Sequence, residues 1–166
     1  MSVLVFAESQ NGSFKKAAFE TVTYGAKTAA ALGVECVALT LGTAKDAGQL
    51  GVYGASKVFN IADAGLDQVD SQVYTQVIAA VAEQVGAQVV IVPHSSTGKS
   101  ILGRLAARMN AGSVAGANAV PTVDGGFKVL KGVFSGKAIA TIEVKSPVKL
   151  ISLMGNSLQP EATGSA

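Results

Sequence analysis

Apolar positions recur along this chain in two rhythms. Val3-Leu4-Val5-Phe6-Ala7, Val34 to Leu41, Lys57-Val58-Phe59-Asn60-Ile61 and Val89-Val90-Ile91-Val92 are short, largely unbroken and rich in β-branched residues. The Val89 run reads as a strand covered on both faces and the Val3 run as a buried one, and the other two read as strands. Between them the apolar residues fall at helical spacing. Phe14, Ala18, Val22, Ala26 and Ala29 form one stripe, with Ser13 as the expected cap and Gly33 as the expected C-terminal stop. Val73, Val77, Val81 and Val85 form a second, opened by Asp67 or Asp70 and followed by Gly86. Ile101, Leu102, Leu105, Ala106 and Met109 form a third. Lys45 to Tyr53 supports a short helix at best. Four strand–helix repeats predict a parallel, doubly wound sheet.

After Asn110 the pattern changes. Gly112 to Asn118 is small and loose. Asp124-Gly125-Gly126 reads as a hairpin turn between Ala119–Thr122 and Phe127–Leu130. Ala138, Ala140, Ile142 and Val144 alternate with Lys137, Thr141, Glu143 and Lys145, as in a strand with one wet face. Ser146-Pro147 then turns the chain into Val148 to Met154. The last third is therefore expected to be antiparallel, and Gly155 to Ala166 to be a linker stub or disordered tail.

Composition narrows the choice. With 166 residues, 49% of them apolar and 5% aromatic, the chain suits one domain with an aliphatic core. In such a core glycines permit close approach of helix and sheet. A net charge of +2 gives no case for nucleic acid. Cys36 is alone, so no disulfide can form within the chain. Val3 to Ala7 is too short for the core of a signal peptide and is followed at once by Glu8. No apolar run suits insertion into a membrane. The expected setting is a soluble, cytoplasmic one.

The chemistry-bearing stretch follows the Val89 strand. Pro93-His94-Ser95-Ser96-Thr97-Gly98-Lys99-Ser100 is a polar turn opening a helix, the arrangement that sets backbone N–H groups at a sheet edge. Gly98-Lys99-Ser100 imitates the end of a phosphate-wrapping loop. That loop also needs a glycine where Pro93 stands, and proline has neither the conformational freedom nor the N–H. The reading without a nucleotide is a helix capped by Ser96 or Thr97 with Lys99 solvated. No Gly-x-Gly-x-x-Gly follows the first strand, since Glu8-Ser9-Gln10-Asn11-Gly12 lacks it. His94 is the only histidine and Cys36 the only cysteine, so a structural zinc site is not expected. Carboxylates are scattered, with no acid–base pair and no nucleophile elbow. Ser96, Thr97, Gly98, Lys99 and Arg104 are expected to border a polar crevice or interdomain contact. Arg104 and Arg108 share one helix face.

Three stretches together resemble the electron transfer flavoprotein alpha subunit. They are Val3-Leu4-Val5-Phe6-Ala7-Glu8, Pro93 to Lys99 with Arg104-Leu105-Ala106-Ala107-Arg108, and Lys131 to Ala138 running into Ala140-Thr141-Ile142. Gly103, Lys137 and Met154 depart from that family's usual proline, asparagine and arginine. The resemblance implies a Rossmann-like α/β three-layer sandwich of the adenine nucleotide alpha hydrolase type. Its sheet would be mostly parallel, with antiparallel C-terminal strands. It also implies an N-terminal domain over 1–154 and a linker over 155–166. FAD belongs to a C-terminal domain absent from this chain, and none is expected here. The implied partners are the beta subunit, flavin dehydrogenases such as the acyl-CoA dehydrogenases, and a membrane quinone reductase. The implied role is an electron carrier's scaffold, not an enzyme. Two other classes stand beside it: a universal-stress-type nucleotide-binding module and an esterase-like enzyme.

Overall fold

The computed structural model describes residues 1–165. Its elements in chain order are β1 (Ser2–Phe6), β2 (Ser9–Gln10), β3 (Ser13–Phe14), α1 (Lys16–Leu32), β4 (Glu35–Leu41), α2 (Gln49–Val52), β5 (Lys57–Ile61), α3 (Ser71–Gln84), β6 (Ala87–Pro93), α4 (Ser96–Met109), β7 (Gly112–Ala117), β8 (Lys128–Val133), β9 (Ala138–Glu143) and β10 (Lys149–Leu153). Eight strands form one sheet in the order β5-β4-β1-β6-β10-β7-β8-β9, and β2 pairs only with β3. The fold is α/β with a mostly parallel sheet, as expected.

Two apolar clusters sandwich the sheet. Val3, Val5, Val89 and Ile91 pack with Val22, Tyr24 and Ala29 of α1 on one face. Leu4, Phe6, Val90 and Val92 pack with Tyr74 and Ile78 of α3 and Ile101 and Leu105 of α4 on the other. Alternate residues of one strand thus feed opposite layers, which is why β1 and β6 carry no polar alternation. α1 comes close to the sheet at Gly25, where a side chain would meet Val5 Cγ2 at 2.1 Å.

Several local expectations are corrected. α1 is not capped by Ser13, which lies in the β2–β3 ribbon; its N-cap is Lys15, without a side-chain cap bond. Gly33 does end it, at φ 67. Asp70, not Asp67, caps α3, accepting from the N–H groups of Gln72 and Val73. The α3 stripe is rotated from the valine ladder: Tyr74, Ile78, Val81 and Ala82 are buried, and Val73 is exposed. A valine every fourth residue drifts around a helix of 3.6 residues per turn, so only Val81 of the four is fully covered.

The larger correction lies beyond Asn110. Gly112–Ala117 is a strand, not a loose segment. β10 is inserted between β6 and β7 and runs parallel to both. Only β7, β8 and β9 form the antiparallel part. The Asp124 turn does bring Thr122 opposite Lys128, but as a single bridge rather than a hairpin of two strands. Residues 155–165 run back over α1 and α2. Glu161 N–H donates to Thr23 Oγ1, Lys27 Nζ meets Glu161 Oε1 at 2.6 Å, and the N–H groups of Thr163 and Gly164 donate to Val52 O.

Candidate functional site

The chain leaves β1 toward β4 on one side and later returns to β6 on the other, so the sheet order reverses between β1 and β6. Their carboxyl ends form the edge where this fold class places binding groups. Glu8 follows β1 there, and the Pro93–Ser100 turn follows β6. The two are tied directly: Thr97 Oγ1 donates to Glu8 Oε1 at 2.5 Å.

The α4 N-terminus is partly satisfied from within, by Ser95. Its cap is Ser95, rather than Ser96 or Thr97, and Ser95 Oγ accepts from Gly98 N–H at 3.1 Å. Gly98 is packed under the preceding strand end, and a Cβ there would fall 1.7 Å from Pro93 O. Glycine is required by that backbone approach. Ser96 and Lys99 are exposed beside buried Thr97 and Gly98. Lys99 stands in the first turn, where the helix dipole opposes a cation. Arg104 is elsewhere, in an open groove between α3 and α4 with Gln72, Gln76 and Arg108. The five residues expected around one crevice therefore divide into two internal, two at the sheet edge and one in a separate groove.

His94 completes the edge. Its Nδ1 lies 2.8 Å from Ser152 Oγ, and Ser152 Oγ also accepts from Gly116 N–H at 3.0 Å. Ser152 is fully buried. The hydroxyl has one hydrogen and no other acceptor among the described residues, so it donates to Nδ1 and the ring proton resides on Nε2. Burial, then Lys99, then Lys131 hold the imidazole below the usual histidine value of 6.5. His94 is thus a neutral tie across β6, β10 and β7. Sequence reasoning named His94 but missed Ser152, which enters through the position of β10, and the charge of Lys131, which enters through the pairing of β8 on β7.

A small pocket of about 190 Å³ opens beside this edge, between the ends of β1 and β4. Glu8, Asn11, Thr43, Asp67 and Tyr74 are among its walls. Asp67 accepts from the N–H and hydroxyl of Thr43, which holds its carboxyl below the usual range. Burial, then Glu8 and Asp67, push the Tyr74 phenol up. The pocket is acidic and below the range of roughly 300–1,000 Å³ usual for cofactor-sized ligands. A larger open hollow near Glu35, Lys57 and Gln84 lies at the opposite edge, where α1 and α3 end in carbonyls. Neither suits a polyphosphate.

Residues 3–166 match the Electron transfer flavoprotein domain. The chain belongs to the electron transfer flavoprotein family. It is 29% identical over 159 residues to the electron transfer flavoprotein subunit alpha of Bacillus subtilis, covering 95% of this chain and 48% of that protein. It is 30% identical over 143 residues to Protein FixB of Clostridium saccharobutylicum, covering 84% and 43%. The electron transfer flavoprotein subunit alpha of Syntrophomonas wolfei is 25% identical over 142 residues. The chain spans about half the length of the curated relatives it matches.

Family membership sets the sheet edge in context. A flavin dinucleotide carries a pyrophosphate, and the glycine N–H that would approach one most closely here is already used. The α4 N–H of Gly98 is held by Ser95, the space beside it is filled by Pro93 O, and carboxylates line the adjoining pocket. This turn and its pocket do not form a pyrophosphate cradle for FAD. Among the described residues no group of three or more His, Cys, Asp or Glu is placed to hold a metal ion, and no helix is long and apolar enough to cross a membrane.

Proposed function

We propose that this chain is the N-terminal domain of an electron transfer flavoprotein alpha subunit and scaffolds its heterodimer with the beta subunit. The assembled protein, with FAD held by another domain, carries electrons from flavin dehydrogenases such as acyl-CoA dehydrogenases to a membrane quinone reductase. It works in the cytoplasm, as a carrier and not a catalyst. The carrying observation is the match over residues 3–166, with relatives named as alpha subunits or FixB that are about twice as long. The closed, acidic sheet edge supports a scaffolding role. Ser96, Lys99 and Arg104 supply exposed polar contacts to the partner or to a second domain, and Thr97 and Gly98 fix the turn that carries Lys99.

The test compares the chain alone with the alpha–beta heterodimer. The chain alone should leave gel filtration colourless, and the heterodimer should retain flavin absorbance. Flavin bands on the isolated chain would overturn the scaffold reading. Sub-micromolar ATP affinity by calorimetry would favour the universal-stress-type module instead.

A further inference from the structure

The α3–α4 layer stops at β7. Neither these helices nor α1 packs substantially on β8 or β9. One face of the β8–β9 ribbon is covered by its own loops: Val129 and Ile142 join Phe127, Val144, Val123 and Leu158 in the first apolar cluster. The other face carries the register pairs Leu130–Thr141 and Gly132–Ile139. Ile139 is 69% exposed. On β7 the residues flanking buried Val114, Ser113 and Ala115, are exposed as well. The result is a sheet surface of small and apolar residues, with Ser113, Thr141 and the Lys128–Glu143 pair among them, that no helix covers.

The ribbon's tip adds an anchor. Phe134 and Ser135 both have positive φ, 50 and 56, in the turn closed by Gly136 N–H to Val133 O. Such a turn favours Asn and Gly, and a bulky aromatic is disfavoured there. Phe134 is also 79% exposed, so no internal packing compensates. A strained backbone with an unpacked aromatic is understandable when the ring is used by something outside the domain.

Charge identifies that partner's chemistry. Residues 127–149 hold five lysines against Glu143 alone, a net charge of +4 in a chain whose total is +2. The remainder is therefore net negative. Of these lysines, Lys131 shares the covered side of β8 with Val129, and Lys149 donates to the carbonyls of Ser146 and Pro147 over the Phe127 ring. Lys128 and Lys137 have no ion-pair partner among the described residues, and Lys145 only approaches Glu143 at 4.0 Å. An apolar centre with an unpaired basic rim is one half of a complementary protein interface. β9 is also an edge strand, whose free N–H and C=O groups find partners in a protein and none in hydrocarbon.

We propose that the bare face of β7, β8 and β9, anchored by Phe134 and Ile139, docks an apolar protein surface rimmed with carboxylates, contributed by the partner subunit. This rests on the heterodimer reading and locates its contact. The experiment measures the dissociation constant of this chain for the beta subunit of the same genome by calorimetry. Phe134→Asn and Ile139→Thr should each weaken binding at least ten-fold, and Lys137→Glu several-fold. Raising the salt should weaken the wild-type complex. Phe134→Asn is decisive because asparagine suits the turn: its melting temperature should hold or rise while affinity falls. Glu83→Gln, on the exposed side of α3, should leave binding unchanged. Wild-type binding with unchanged affinity in both apolar variants would overturn the location alone. Absence of wild-type binding would overturn the heterodimer reading and the location together. Variant-sensitive binding to phosphatidylserine vesicles, with beta-subunit affinity unaffected, would assign the face to a membrane and overturn the proposal.

Discussion

The centre of the sheet and its β8–β9 wing obey the same strand rules and reach opposite outcomes. β1 and β6 have helices on both faces, and every residue of Ser2–Phe6 is buried. β9 has one face against loops and one against solvent, and none of its residues is fully buried. The central strands are held by packing from both sides, so their side chains are dictated by the fold. The wing is held mainly by pairing and one half-core, which leaves Phe134 and Ile139 free of any internal role. Stability is concentrated at the centre, and freedom to bind is concentrated at the rim.

The sharpest way to break this contrast is to place the same charge in both regions. Val81→Asp sets a carboxylate among Ile78, Ala82 and the apolar face of the sheet, and should cost about 3 kcal/mol or more. Ile139→Asp sets it in solvent and should cost under about 1 kcal/mol, mostly lost strand preference. Urea midpoints that move equally would mean the wing is as load-dependent as the centre. Next in size is Gly98→Ala. The added methyl has no room beside Pro93 O, so either the strand end or the first turn of α4 must move. A loss of about 2 kcal/mol is expected from that displacement. An unchanged midpoint would show that the turn is looser than its geometry implies.

The same contrast explains what could be read from the sequence. Strands covered on both faces announce themselves by unbroken apolar runs, so β1, β4 and β6 are legible to within two residues, and β5, an edge strand with no buried residue, is legible from Val58, Phe59 and Ile61. β10 was legible as a strand but not as a parallel one, because direction is not written in hydrophobic pattern. Its insertion between β6 and β7 comes from the long excursion through the wing. The valine ladder of α3 misled because spacing by four suggests a face more strictly than helix geometry keeps it. At the site, the polar turn after β6 was visible from its residues. Its closure by Glu8, Ser95 and Pro93 was not, because those contacts join separate parts of the chain or use backbone atoms. Ile139 did carry a signal: it is the apolar residue on the wet side of an otherwise alternating strand.

A smaller effect concerns the tie that His94 makes across β6, β10 and β7. Its folded pKa lies below the unfolded value near 6.5, so the unfolded chain binds the proton more readily. The stability this provides is present above pH 6.5 and is lost as the pH falls through the lower folded value. Asp67 and Asp70 are held low by hydrogen bonds, so their contribution is lost only below the usual 3.8. Two separate windows should therefore appear in midpoint against pH. His94→Gln should remove the upper window and leave the lower one. Persistence of the upper window in that variant would assign it to another group.

The smallest expected effect separates the sheet edge from the interior beneath it. Lys99 opposes the α4 dipole and has no carboxylate partner among the described residues. Arg104 lines the α3–α4 groove and feels Asp70 only across solvent. Neither is needed by the folded domain, since exposed charges of this kind are worth little. Lys99→Ala and Arg104→Ala should each change the isolated chain's stability by less than about 0.5 kcal/mol. Lys99→Ala should even be neutral to favourable, because it removes a cation from a positive helix end. In the heterodimer the same changes should weaken assembly or flavin retention by about 1–3 kcal/mol where a charge-assisted hydrogen bond is lost. Unfolding of the isolated variants would place these side chains in the internal structure with Thr97 and Gly98. No change in either setting would leave Lys99 and Arg104 as solvated surface and leave the wing alone to carry the contact.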